Sequence, residues 1–257
     1  MYIKTVVRAI PLTTVLILLA MLLFLSLNTG VAISARSEEA VKSGENDAKP
    51  SVSPEQVEKT KTAKVCSQII TVTTKSLKDY KANINVFEKT DGKWKHLYKD
   101  LQGVTGKNGI MYNRKQNTGT SPAGVYTITK GFGIASNPGV KFPYRKVQDD
   151  DYWVTDPKSK FYNTWQKGPS NGRWDEKEQE HLIKFKTYKY CAIIDFNVER
   201  IPYKGAGIFL HLPPSGGRGT QGCIGMKESD LLKVLKWITP KKGTRIIICP
   251  KDDIEKF

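Results

Sequence analysis

His211 and Cys223 stand at the two ends of one loop in the stretch GIFLHLPPSGGRGTQGCIGM, Gly207 to Met226. His211 closes an apolar run suited to a buried strand, so its imidazole emerges at a rigid strand end. The eleven residues after it contain four glycines and two prolines, a composition that turns back tightly at the surface. Cys223 is thereby returned toward His211. Only a thiolate attacks a carbonyl well, so a nucleophilic cysteine needs a base or a positive local potential, and His211 offers both. Gly222 lets the backbone pass close to a substrate, and the amides of Gly222 and Cys223 are candidate donors to a tetrahedral oxyanion. The chemistry these residue types suit is acyl transfer. A papain-type peptidase would place its cysteine near the mature N-terminus and its histidine far downstream, whereas here His211 precedes Cys223 by twelve residues.

The elements that must position this pair are mostly strands. Alternating or β-branched runs occur in SQIITVTTKS, ANINVFEKT, KWKHLY, AGVYTITKG, DYWVTD, YKYCAIIDFNV, GIFLHL and GTRIIICP, each bounded by Gly, Pro or Asp. Asp91-Gly92 predicts a type I′ hairpin between the second and third of these. Two helices are expected. A short one falls in WDEKEQEHLIKF, where Asp175 and Glu178 have capping-box spacing, and a longer one in KESDLLKVLKWITP presents Leu231, Leu232, Val234, Leu235 and Ile238 and stops at Pro240. There is no internal repeat, and the strand spacing favours a sandwich or curved sheet over alternating βαβ units.

The chain has 257 residues, 39% of them hydrophobic, enough for a packed core. Lys4 and Arg8 precede an apolar run from Ile10 to Leu27 and then small residues, which predicts a signal peptide or N-terminal membrane anchor over residues 1–35. Residues 36–65 are expected to be a disordered extracytoplasmic linker, because Ser, Pro, Glu, Lys and Asp dominate and aromatic residues are absent. That leaves residues 66–257 as the folded domain, outside the cytoplasm. The net charge is +16. The leader contributes only two positive charges and the linker is nearly neutral, so the folded part carries the field. In that compartment it favours anionic wall polymers and makes nucleic acid an improbable partner. Cys66, Cys191, Cys223 and Cys249 show no CxxC spacing, so neither a metal site nor a cofactor is expected.

Around the nucleophile, Thr220, Gly222, Cys223 and Ile224 occupy the signature Ser/Thr-x-Gly-Cys-aliphatic, with His211 at the preceding strand end. Upstream, TSPAGVYTI matches a Thr-Pro-x-Gly-x-aromatic-x-Ile element. In these motifs the chain resembles the L,D-transpeptidase catalytic domains, the YkuD-like family, over about Gln68 to Pro250. The segment DYWVTDPKSKFYNTW, with Asp156, Tyr162 and Asn163, is similar to a secreted subgroup of that family. The resemblance implies a mainly β domain with a few helices, a YkuD-like β-sandwich or curved mixed sheet. It also implies attack by Cys223 on a peptidoglycan tetrapeptide stem, release of the terminal D-alanine, and transfer of the acyl group to an amine, with His211 as base and acid and no cofactor. Water as acceptor would make the same site an L,D-carboxypeptidase, and loss of catalysis would leave a wall-binding module.

Gly225 departs from the family, many of whose members carry arginine directly after the aliphatic residue. Arg218, in the loop, is the candidate substitute. Thr220, Gly222, Arg218, Tyr162 and Asn163 are the expected substrate-binding residues, with Trp153 and Trp165 as further cleft candidates. His96 and His181 lack a partner and are expected at the surface. With Cys223 free, Cys66 and Cys249 on the first and last strands are the expected disulfide pair, and Cys191 an inert core thiol.

Overall fold

The structure is a computed structural model that describes residues 51–257. The expected leader, 1–35, and the first half of the expected linker lie outside the described residues.

The described chain starts inside the fold rather than in a tether. Helix α1 (Pro54–Lys59) opens with a capping box: Ser53 Oγ accepts from Gln56 N, and Gln56 Oε1 accepts from Ser53 N. Val52, Val57 and Ala63 are all buried. The linker expectation is therefore corrected over 51–65, since three apolar residues in a polar-looking stretch are enough to seat it on the domain.

Strand β1 (Gln68–Thr74) is buried along its whole length, which means that both its faces are covered. It pairs antiparallel with β2 (Lys81–Thr90), which the Asp91-Gly92 turn joins to β3 (Lys93–Val104). Asp91 and Gly92 have φ of 52° and 74°, the two left-handed residues a type I′ turn requires. A short parallel pair, β4 (Ile110–Met111) and β5 (Ser121–Pro122), leads into the long β6 (Gly124–Gly133), flanked by β7 (Tyr144–Lys146). A separate three-stranded sheet follows, with β8 (Asp151–Val154) between β9 (Thr164–Lys167) and β10 (Gln179–His181). The chain then returns through β11 (Cys191–Ile194), β12 (Phe209–His211), β13 (Ile224–Met226), helix α2 (Glu228–Trp237) and β14 (Arg245–Pro250).

The main sheet runs β11-β12-β13-β3-β2-β1-β14-β6-β7, and a further pairing of β11 with β6 closes it on itself. This is the curved, mixed sheet expected. Inside it, Ile70, Val72, Ile84, Leu210, Ile224 and Ile248 pack with Leu231, Val234 and Leu235 of α2 and with Ile238 just past its end, while Leu232 of the expected stripe lies half-exposed. On the opposite face, Ile69, Phe87, Ile247 and Cys249 are covered by Val52, Val57, Ala63 and, from the C-terminal turn, Ile254.

Two expectations fail. The segment holding Asp175 and Glu178 is a turn leading into β10 and a single 3-10 turn, Leu182–Lys184. Asp175 does organise it, but by receiving the Glu178 amide on its backbone carbonyl rather than by starting a helix. Cys66 and Cys249 are both free, as are Cys191 and Cys223, and the Cys66 thiol donates to Thr62 O at 3.1 Å.

If α1 belongs to the core, trimming Val57 opens a cavity under the sheet. Val57→Ala should lower unfolding free energy by about 1–3 kcal/mol, read as a shifted urea midpoint at unchanged slope. An unmoved midpoint would return residues 51–65 to the linker.

Candidate active site

The loop leaving His211 comes back to form β13 directly beside β12. The two strands pair in parallel, with Leu210 opposite Ile224 and His211 opposite Gly225. The imidazole at the end of one strand and the thiol just before the other line one cleft of about 620 Å³. Both are largely buried, His211 at 4% and Cys223 at 8% exposure.

Small polar side chains hold the approach to Cys223. Thr220 Oγ1 donates to Cys223 O (2.6 Å) and accepts from Gly222 N (2.9 Å). Ser121 Oγ donates to Gly222 O (2.7 Å) and accepts from Gly106 N (2.8 Å). Gly222 has φ +144°, and a Cβ there would fall 2.9 Å from both Thr120 O and Arg114 Nη2; only glycine fits the turn. The thiol itself donates to Gly207 O and accepts from Phe209 N, each at 3.3 Å.

Behind the pair stands an aromatic wall. Phe209 packs edge-on against Phe132, Trp153 and Tyr188 at 5.0, 4.9 and 5.6 Å, and Tyr188 meets the His211 ring at 5.2 Å. These rings bury the pair from one side, and the site's titration follows from that burial. Burial holds His211 down at about 4 against a small opposing effect of its bond to Leu212 O. Burial pushes the Cys223 thiol up to about 12, with the nearby Glu180 carboxylate adding to the rise and Phe209 N and Arg114 opposing it. At neutral pH the two groups are thus a thiol and a neutral imidazole. His211 Nδ1 lies 2.5 Å from Leu212 O. A carbonyl only accepts, so Nδ1 carries the proton and Nε2 is left as the basic nitrogen.

Two side chains of the cleft carried no signal in the sequence. Glu180 is raised to about 7 by burial, against the Tyr188 hydroxyl that donates to it at 2.8 Å. Arg114 is 7% exposed, donates through Nε to Thr120 O, and lies over the Phe196 ring. Glu180 sat in a stretch whose acidic spacing resembled a helix cap, and Arg114 sat in a polar loop with no periodicity to read.

Of the expected substrate-binding residues, Thr220 lines the cleft and Gly222 adjoins its floor. Arg218 is exposed on the loop and does not line it. Tyr162 is 1% exposed; its hydroxyl donates to Gln116 Oε1 and accepts from Gly205 N. Asn163 accepts on Oδ1 from Trp153 Nε1 and Gly207 N, and donates to Phe196 O and Asn197 O. Both are scaffold beneath the cleft, because buried polar side chains spend their bonding capacity on the backbone around them. Trp153 and Trp165 also belong to this packing. His96 and His181 are half-buried rather than surface residues, the first bonded to Asn85 Oδ1 and the second to Asp149 O.

Among the described residues no cluster of His, Cys, Asp or Glu is arranged to hold a metal ion, and no helix is long and apolar enough to cross a membrane.

Comparison with known proteins bears on this geometry. No curated protein sequence matches the chain. Among solved structures, it is similar to the helical cell shape determining protein Pgp2 from Campylobacter jejuni, at 17% identity and a TM-score of 0.37. That similarity covers 72% of this chain and 48% of the other, so the chain spans about half the length of that protein. The family model for the L,D-transpeptidase catalytic domain matches residues 82–248, a span that runs from β2 into β14 and holds His211 and Cys223 but not β1. By that match the chain belongs to the L,D-transpeptidase catalytic domain family, the YkuD family.

Proposed function

We propose that the protein is a peptidoglycan L,D-transpeptidase in which Cys223 is the nucleophile and His211 its base. The observation that carries this reading is the pairing of β12 with β13, which brings a buried thiol and the unprotonated Nε2 of a tethered imidazole to one cleft.

In the first half-reaction the Cys223 proton passes to His211 Nε2 as Sγ bonds to the scissile carbonyl carbon. The carbonyl oxygen becomes an oxyanion. Gly222 N–H already serves Thr220 Oγ1, so of the two amides expected to receive that oxyanion, Cys223 N–H is the one left to do it. The tetrahedral adduct collapses by breaking the C–N bond, and the His211 proton goes to the departing amine, leaving a thioester and free D-alanine. An acceptor amine then attacks the thioester carbon and gives up its proton to Nε2. Sγ leaves and takes that proton back. With water in the acceptor's place the same steps hydrolyse the stem, as an L,D-carboxypeptidase.

The proton moves during attack rather than before it. A thiol at about 12 beside an imidazole at about 4 does not form an ion pair at neutral pH, so proton transfer is concerted with bond formation or paid for by substrate binding. The family, the overall charge of +16 and the expected leader together support an extracytoplasmic protein acting on wall peptides, with anionic wall polymers as a further partner.

Purified protein given a disaccharide-tetrapeptide should release D-alanine, with the amine-linked or hydrolysed product seen by mass spectrometry. Cys223→Ala should abolish release, and His211→Gln should reduce it by about 10²–10⁴-fold. Turnover that survives in Cys223→Ala would sink the mechanism, and a folded wild-type protein that binds wall without turnover would make it a binding module.

The titration gives a second expectation. Catalysis needs neutral His211, and burial lowers its protonation to about 4, so kcat/KM should hold as pH falls through 6.5 and decline only toward 4. Thiolate absorbance at 240 nm, taken as the difference between wild type and Cys223→Ala, should be absent at pH 7. A thiolate signal at neutral pH would show a preformed ion pair instead.

A further inference from the structure

Arg114 holds a charge that the fold has buried without an opposite one. Its side chain is 7% exposed, and no carboxylate lies within ion-pair distance among the described residues. Nε is spent on Thr120 O at 2.7 Å, and Nη1 makes one long contact to Lys204 O at 3.4 Å. The remaining N–H donors have no protein acceptor, and the side chain lines the cleft that holds Cys223. Those free donors face the cleft, where an anion can meet them, rather than the packed interior.

The backbone has been shaped to admit it. A Cβ on Gly205 would lie 1.6 Å from Nη1, and one on Gly222 would lie 2.9 Å from Nη2. Two glycines, both at positive φ, therefore flank the guanidinium, and one of them is the residue before the nucleophile. The other arginine considered for the site, Arg218, is out on the loop surface, and the remaining cation on the cleft, Lys177, is exposed. A guanidinium fork matches a carboxylate in shape and charge.

We propose that Arg114 binds the free C-terminal carboxylate of the residue that leaves, so that the cleft recognises the end of a peptide stem. The proposal rests on the acyl-transfer reading above. With the scissile carbonyl on Sγ, the carboxylate of the leaving residue lies within one residue's length, about 3.8 Å between successive Cα atoms, whereas a carboxylate on a diamino acid side chain lies several bonds farther out. Arg114 reaches Gly222, adjacent to Sγ's own residue, and so suits the nearer group.

The test compares a synthetic stem tetrapeptide ending in a free acid with the same peptide ending in a C-terminal amide. Wild-type protein should favour the acid by about 10- to 100-fold in kcat/KM, chiefly through KM. Arg114→Gln should erase that preference by weakening the acid alone, and Arg114→Lys should keep part of it. Calorimetry with Cys223→Ala protein gives a readout independent of turnover: acid bound about 10- to 100-fold tighter than amide, and the two equal once Arg114→Gln is added. Equal treatment of acid and amide by wild type, a preference that survives Arg114→Gln, or an equal loss on both peptides would overturn the proposal. So would a Cys223→Ala protein that binds neither peptide. If Arg114→Gln does not fold, the acid-to-amide ratio of wild type and of Arg114→Lys decides. Failure of the transpeptidase reading looks different, as tight, acid-selective binding with no D-alanine released by wild type.

Discussion

The parallel pairing of β12 with β13 is the contact on which the rest depends. Parallel neighbours normally need a crossover of a dozen or more residues, and here the connection is a glycine-rich loop at the near minimum of that length. It returns the chain so that Leu210 faces Ile224 and His211 faces Gly225. Everything around it serves to keep that register. The closed sheet supplies β11 on one side and β3 on the other, α2 covers the inner face, and α1 with the C-terminal turn seals the outer one.

That architecture buries the reactive pair, and burial has an electrical consequence. Burial favours the neutral form of each group, so the thiol rises and the imidazole falls. The Glu180 carboxyl, held beside the same aromatic wall and raised to about 7, follows the same rule. Arg114 cannot respond by losing its charge, and is left as the one fixed positive centre of the cleft floor. The cleft at rest is therefore neutral at the thiol and imidazole and positive at Arg114.

Much of this was legible in the sequence because it is local. Alternation and β-branched runs located seven of the nine strands of the main sheet, missing the three-residue β7 and β13; Asp91-Gly92 fixed a hairpin, and the spacing of apolar residues from Leu231 to Ile238 marked α2. His211 and Cys223 were legible because two reactive residue types bracketed a loop built to fold back. What failed was long-range or compositional. Val52, Val57 and Ala63 sit in a stretch polar enough to pass for a tether, and their burial is decided by a sheet face formed by residues far along the chain. Tyr162 and Asn163 had the chemistry of ligand-binding side chains, yet their donors and acceptors are consumed by Gly205, Gly207 and the backbone at Phe196 and Asn197. Arg114 and Glu180 reach the cleft through folding alone.

Gly225 and the short connection from His211 to Cys223 belong to one physical fact. A Cβ on Gly225 would lie 2.9 Å from Pro213 Cα and 2.9 Å from Val104 Cγ2. Pro213 is that close because only eleven residues separate His211 from Cys223 and the loop must double back over β13 at once. A side chain of any size at 225 would push the loop off β13, and with it the register that unites His211 and Cys223. The short loop thus leaves no room for an arginine at 225. The buried cation that lines the cleft is Arg114, on the segment between β4 and β5, which reaches it through the gap that Gly205 and Gly222 leave open.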